Sequence, residues 1–226
     1  TRIDNCGISA ANVMSPLASW DIDNDGDQDL INGSSDWSLT SRPHIYINDG
    51  AGNYTQMDSP IYQSSRYYHH GISIFDADLD NDMDAVWTAL HNFADIYPRM
   101  WRNDGDLAFT DVTSAWGVTA RIPGSGNLFM GGYHADLDGD GDLDFVVDMS
   151  NEIFAIYRNN AVENGANWLG IYLVASESAP NGIGARVEVT VEGRKLTQLM
   201  LDITGGVRNL TSLRFGLGSA ASADSV

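Results

Sequence analysis

The 226-residue sequence holds a single cysteine, Cys6, so no internal disulfide framework can staple it. Export is not excluded by that, because metal ions can take the place of disulfides as staples. Basic residues are scarce: 12 Lys+Arg stand against 31 Asp+Glu, a formal net charge of -19. Charge of that sign excludes a nucleic-acid backbone or an anionic membrane surface as a partner, since both would repel the chain. No run approaches the roughly 18 apolar residues of a membrane span, so no membrane insertion is expected. Signal-like character is missing at Thr1, and the chain is expected to be a mature product or an excised fragment. Runs with helical spacing are few, whereas 23 glycines and many Asx-rich turns point to a mostly β protein. With 43% hydrophobic and 19% charged residues the chain is too apolar for disorder, so the acid must be localised and neutralised.

Internal repeats show where it is localised. DIDNDGDQDL (21–30), DADLDNDMDA (76–85) and DLDGDGDLDF (136–145) each carry Asp at positions 1, 3, 5, 7 and 9. They open at Asp21, Asp76 and Asp136, 55 and 60 residues apart. A second marker follows each: IYINDGAGNY (45–54), MWRNDGDLAF (100–109) and IYRNNAVENG (156–165). Its first Asn, at 48, 103 and 159, falls 27, 27 and 23 residues after the loop opens. An aromatic follows in the first two units, Tyr54 and Phe109, and not in the third. Asn-Asp-Gly is a strong hairpin signal. Each unit therefore reads as strand, acidic loop, strand, connection, strand, turn, strand, the four-strand arithmetic of a propeller blade. Cys6-Gly7-Ile8 resembles Trp116-Gly117-Val118 after the second unit, which places residues 1–10 in the tail of a preceding blade. Beyond residue 163 the pattern changes to alternating stretches, NWLGIYLVAS (167–176) and ARVEVTVEG (185–193), then RFGLGSA (214–220), with no acidic loop. The expected fold is all-β: four-stranded antiparallel blades over 1–163 and a small C-terminal β segment over 164–226.

Five carboxylates within nine residues cannot stay together unneutralised. Two unit charges about 4 Å apart repel by roughly 4 kcal/mol at an effective dielectric of 20. Calcium removes that cost, taking about 6–8 oxygens in a flexible geometry; magnesium prefers a rigid octahedron and keeps water. Zinc is a poor match without Cys or His in the loops. An EF-hand would need Glu at position 12, where Asn32, Trp87 and Val147 stand, and flanking helices instead of the strand-like residues that follow position 9. The candidate metal residues are Asp21, Asp23, Asp25, Asp27 and Asp29; Asp76, Asp78, Asp80, Asp82 and Asp84; and Asp136, Asp138, Asp140, Asp142 and Asp144. Side chains 1, 3, 5 and 9 are the proposed ligands, joined by the carbonyl of position 7, for about three Ca2+ sites. Position 6 is Gly26 or Gly141, and Asn81 in the second loop, the residue types that best tolerate a left-handed backbone. The loops hold 15 of the 31 acidic residues and no basic ones, so 16 acidic against 12 basic residues remain elsewhere, a net of only -4.

DxDxDGDxD before an apolar strand, with a later aromatic-x-Asn-Asx-Gly turn, resembles the FG-GAP/VCBS repeats of integrin-type β-propellers. NWLGIYL, NGIGARVEV and FGLG resemble the ASPIC/UnbV domain that follows such repeats in cartilage-acidic-protein-like and bacterial exported proteins. Asn81 departs from the usual Gly, the third turn reads Asn-Asn, and the C-terminal segment stops before the Trp-Pro-Ser-Gly-like ending, which suggests truncation. The resemblance implies an exported, calcium-stabilised module, extracellular, periplasmic or at the cell surface.

The loops define one face, and the far ends of their flanking strands define the other. Trp37, Arg66, Tyr68, His69, His70 and His91 are expected there, with Asp36, Asn127, Leu128, Phe129, Ser150, Asn151 and Glu152 around them. Such composition suits a protein or glycan ligand. A lyase or dehydratase acting on carbohydrate through the His, Tyr and Arg residues is the alternative, since imidazole titrates near neutral pH. Adjacent His residues in a strand point to opposite faces, and no nucleophile elbow or phosphate loop is present, so a non-enzymatic recognition or adhesion module is the first reading. His44 and His134 have no partner in this arrangement. A third reading is a structural section of a larger exported protein. Three units do not close a ring of about 4–8 blades, so self-association, the remainder of a larger propeller, or an edge covered by the C-terminal strands is expected.

Overall fold

The computed structural model describes residues 6–8, 17–33, 43–57, 59–61, 67–91, 95–119, 122–123, 131–149, 153–174, 182–200 and 212–226. Among these there are strands and turns and no helix. The first sheet runs β1 (Leu17–Trp20), β2 (Asp29–Asn32), β3 (His44–Asn48), β4 (Tyr54–Met57), neighbours in that order and all antiparallel. The second contains β5 (Tyr67–Phe75), β6 (Asp84–His91), β7 (Asp95–Asn103) and β8 (Phe109–Asp111), again a meander. β9 (Ile122–Pro123) also pairs with β7, beside its first two residues. A third sheet has β10 (Gly131–Ala135), β11 (Asp144–Met149) and β12 (Ile153–Tyr157).

The third sheet shows three strands among the described residues, where the repeat predicts a fourth. The cause is local: after Asn159-Asn160 the chain folds into a tight turn, with Asn164 N–H donating to the Asn160 carbonyl at 3.0 Å and Ala166 N–H to that of Ala161 at 3.0 Å. In the first two units Asn-Asp-Gly reverses the chain instead. Gly50 and Gly105 take φ of 73° and 80°, a conformation that favours glycine, and Asp49 caps its turn by accepting from Ala51 N–H and Asn53 N–H. Residues 6–8 lie along β4, where Tyr54 N–H donates to the Cys6 carbonyl at 2.7 Å.

The central strand β6 is buried on both faces over Ala85–Trp87, where its residues read as a continuous apolar run. Ala85 and Trp87 pack into a cluster with Trp20, Ile22, Ile31, Ile45 and Trp101, between the first and second sheets. Val86 points the other way, to Phe75, Met100, Val118, Phe145 and Val147, between the second and third. The side-chain period of two sends neighbours in one strand to two different cores. Trp87 is wholly buried, and the removal of a large core aromatic costs about 3–5 kcal/mol.

The remaining strands form two pairs: β13 (Asn167–Ile171) with β16 (Leu213–Gly218), and β14 (Arg186–Val191) with β15 (Arg194–Leu199). Glu192 and Gly193, at φ 50° and 80°, turn β14 into β15. Val187, Val189, Val191, Leu196, Met200, Leu213, Phe215 and Leu217 make a third core of their own.

Candidate metal centres

Each acidic loop closes a hairpin between the first two strands of its sheet. Trp20 pairs with Asp29, Phe75 with Asp84 and Ala135 with Asp144, so position 9 is the first residue of the second strand. Position 6 is left-handed in all three loops: φ is 98° at Gly26, 74° at Asn81 and 109° at Gly141. That backbone turns the short loop inward, and its carboxylates converge.

They converge in the same way three times. Asp21, Asp23 and Asp29 form one group, Asp76, Asp78 and Asp84 a second, and Asp136, Asp138 and Asp144 a third, with one carboxylate oxygen from each member within 4.8 Å of the others. These are positions 1, 3 and 9. Positions 5 and 7 are placed otherwise. Asp25, Asp80 and Asp140 each accept from the N–H two residues on, at 2.9, 2.9 and 3.2 Å, which tightens the loop. The position 7 carboxylates turn to other partners: Asp82 and Asp142 are buried and Asp27 is half-buried. The turn glycine Gly50 packs on Asp27, and a Cβ there would collide with that carboxylate. Asp82 pairs with Arg194 and accepts from Asn24 Nδ2 at 2.9 Å, and Asp142 accepts from Val162 N–H at 3.0 Å.

Position 9 has a second task. Asp29 accepts from Ile22 N–H and Asn48 N–H, both at 2.8 Å; Asp84 from Ala77 N–H at 2.9 Å and Asn103 N–H at 2.8 Å; Asp144 from Leu137 N–H and Asn159 N–H, both at 2.8 Å. One carboxylate thus ties its own loop to the start of the distant turn. The Asn markers belong to these centres, a role that sequence reasoning missed although their recurrence 23–27 residues after each loop opens was the signal. Asn159 Nδ2 also donates to the Ala77 carbonyl at 2.7 Å, joining the third sheet to the second loop.

Burial makes the charge costly. It raises Asp21 and Asp29 to about 6, against the hydrogen bonds from Gly26 N–H to Asp21 and from Asn48 and Ile22 N–H to Asp29, and neighbouring carboxylates add to the effect. Burial, followed by the charges of Asp80 and Asp78, lifts Asp76 well above the ordinary carboxylate range; burial and Asp78 do the same to Asp84. Asp80 reaches about 7, through burial first and Asp78 second. In the third loop Arg158 lies on Asp138 at 2.6 Å and on Asp140 at 3.4 Å, and it holds the Asp138 carboxyl below its ordinary value.

The donor set fits a hard cation. All side-chain ligands are carboxylate oxygens. Asp21 is 7% exposed and its Oδ1 has no hydrogen-bond partner, nor has Oδ1 of Asp78. A buried carboxylate oxygen without a donor is expensive unless a cation meets it. Among the described residues no polar group fills that role at Asp21 Oδ1.

The residues expected on the opposite face are placed only in part. Trp37 and Arg66 lie outside the described residues, as do Asp36, Asn127, Leu128, Phe129, Ser150, Asn151 and Glu152. Tyr68, His69 and His70 are on β5 and His91 on β6, at the ends remote from the loop. Tyr67 pairs with His91, Tyr68 with Leu90 and His69 with Ala89, and the register shifts between His69 and Gly71. His44 and His134 acquire partners that the sequence pattern did not supply. Gln56 Nε2 lies 3.0 Å from His44 Nδ1, and Ser73 Oγ 2.8 Å from His134 Nδ1. His134 stacks on Phe75 at 4.9 Å between centroids, and burial lowers it to about 4.

Residues 21–87 match the family described as FG-GAP-like repeat, a span that runs from the first acidic loop through the second to Trp87. Among curated proteins the chain has no significant match.

Proposed function

We propose that the protein is a calcium-binding β-propeller module for recognition or adhesion, acting outside the cell or at its surface. The observation that carries the metal assignment is the buried, partnerless Asp21 Oδ1 within a three-carboxylate group that recurs at Asp76 and Asp136. Positions 1, 3 and 9 would hold the ion, with the position 5 side chain and the position 7 carbonyl available to complete it. Bound calcium supplies charge neutralisation and a cross-link between strands. The protein's own contribution is a loop already shaped by Asx turns and by the position 9 bonds. The FG-GAP-like match supports the recognition reading, since such repeats occur in adhesion and recognition propellers.

Residues 1–163 are assigned to the repeats and 164–226 to an ASPIC/UnbV-like segment, which the separate core of Val187 to Leu217 supports. The ligand is proposed to be a protein or a glycan, met by the face that carries Trp37, Arg66, Tyr68, His69, His70 and His91. Calorimetry of chelated protein with calcium tests the metal assignment: about three equivalents bound and a higher melting temperature are expected, and no heat and no shift would remove it. A glycan and peptide array probed with calcium-loaded protein, beside a variant with Tyr68 and His69 changed to Ala, tests the face.

A further inference from the structure

Three arginines of the C-terminal strands each reach a different acidic loop. Arg186, opening β14, donates through Nη1 to the Gly26 carbonyl at 2.7 Å. Arg194, opening β15, pairs with Asp82 and donates to the Asp80 carbonyl at 3.5 Å. Arg214, on β16, donates through Nη2 to Asp136 Oδ2 at 2.7 Å and through Nη1 to the Gly141 carbonyl at 2.8 Å. Between them, Gly218 N–H of β16 donates to the Leu79 carbonyl at 2.7 Å, so the strand itself rests on the second loop.

The third contact differs in kind from the others. In the first loop the position 1 oxygen Asp21 Oδ2 accepts from Gly26 N–H at 2.9 Å, and in the second Asp76 Oδ2 accepts from Asn81 N–H at 3.0 Å. Both donors are the loop's own position 6. At the corresponding oxygen of the third loop, Asp136 Oδ2, the donor is Arg214, whose other arm grips the position 6 carbonyl. Arg214 is also held in place. Its side chain is 19% exposed, its guanidinium lies 5.1 Å from the Trp168 ring centroid, and the Trp168 indole covers Gly141 so closely that a Cβ there would overlap it.

We infer that Arg214 is a positioning residue for the metal centre of the third loop, so that this loop reaches its binding geometry only with the C-terminal segment docked. The inference rests on the reading of the loops as calcium centres. Groups that orient a metal ligand from behind are worth about 10–100-fold in affinity. By reciprocity, calcium in the third loop stabilises docking of the C-terminal strands by the same factor that docking strengthens calcium. Charge alone argues the opposite sign, since a guanidinium on Asp136 repels an incoming cation. Arg158 separates the two effects: it places a positive charge on Asp138 and Asp140 of the same loop without bridging position 1 to position 6.

The test is calcium calorimetry on the full chain, with terbium luminescence as a second readout. Terbium substitutes for calcium and is excited through nearby tryptophan. Trp168 lies against the third loop, so the signal that W168F loses while calorimetry still counts its third site identifies that site. In R214M the third site is expected to weaken by about 10–100-fold while the other two are unchanged. R214K should lose part of this, because its ammonium can keep one of the two acceptors and not both, and R158Q should bind as tightly as wild type or tighter. Calcium-dependent hydrogen-exchange protection of residues 213–218, the strand that carries Arg214, should fall in R214M and persist in R158Q. Equal shifts in R214M and R158Q, or an unchanged third site in R214M, overturn the inference and leave the calcium reading standing. If R214M fails to fold, R214K decides: affinity equal to wild type overturns the inference. A wild-type chain that binds neither calcium nor terbium removes the calcium reading and this inference with it.

Discussion

Asp29 and Asn48 stand nineteen positions apart, yet Asn48 N–H donates to Asp29 Oδ1 at 2.8 Å while the other oxygen of the same carboxylate holds Ile22 N–H. The pair explains why an acidic loop and an Asn-Asp-Gly turn travel together. The loop's last carboxylate is the bolt that fixes where the third strand ends, and the bond recurs between Asp84 and Asn103 and between Asp144 and Asn159.

Position 9 and position 3 should therefore respond differently to substitution. Asp84 is wholly buried, and Asp84→Ala leaves two backbone N–H groups without acceptors. At about 1–3 kcal/mol for each orphaned group, a loss of about 2–6 kcal/mol is expected, in chelator as well as in calcium. Asp23→Asn, at an exposed position of the first loop, should leave the chelated protein's stability within about 0.5 kcal/mol and weaken calcium binding only. Urea titrations of both variants in chelator and in calcium check this. Equal losses for the two in chelator would contradict it.

The raised carboxylates give the metal-free protein a distinctive pH dependence. Asp21 and Asp29 titrate at about 6 in the fold and Asp80 at about 7, against 3.8 for an ordinary Asp, so the folded chain holds more protons than the unfolded one in between. Stability is fully present below the unfolded value and lost as pH rises through the folded values. His134, lowered to about 4, acts in the opposite sense below about pH 6.5, but it does so with and without calcium and cancels from the comparison. The melting temperature in chelator should fall between roughly pH 5 and 7.5, by several degrees, and the fall should disappear in calcium, which keeps the carboxylates ionised. Parallel curves in the two conditions would count against the metal sites.

Much of this was legible because it is local. Five alternating Asp residues before an apolar pair, and Asn-Asp-Gly at a constant offset, are written within single units, and the hairpins that they predict are present. The third unit's departure was legible too, as Asn-Asn in place of Asn-Asp-Gly, although its consequence, a tight turn where the fourth strand would start, needed the backbone. The division of labour within the loops was visible in part. The sequence set position 7, with its carbonyl, apart from side chains 1, 3, 5 and 9, but position 5 looks like the others, and only the folded loop separates it from 1, 3 and 9. Least visible were the arginines. Arg186 and Gly26 are 160 residues apart, and Arg194 and Asp82 are 112 apart, so neither contact leaves a local trace.

Docking of the C-terminal strands on the second loop has its own weak point in Gly216. A Cβ there would overlap Asp76 Oδ2 and the Leu79 backbone, and the backbone cannot swing aside as a long side chain would. Gly216→Ala should therefore lift β16 from the loop, at a cost of about 1–3 kcal/mol, the range for overpacking a close contact. The pairing of β16 with β13 is made along the strand and should survive. Hydrogen exchange separates these effects: the Gly218 amide, which donates to Leu79, should lose protection in the variant, and the amides of β14 and β15 that pair with each other should keep theirs. Leu196→Ala, a change within β15, serves as the control for a loss confined to the C-terminal core. Unchanged protection at Gly218 in Gly216→Ala would show that the strand does not rest on the loop.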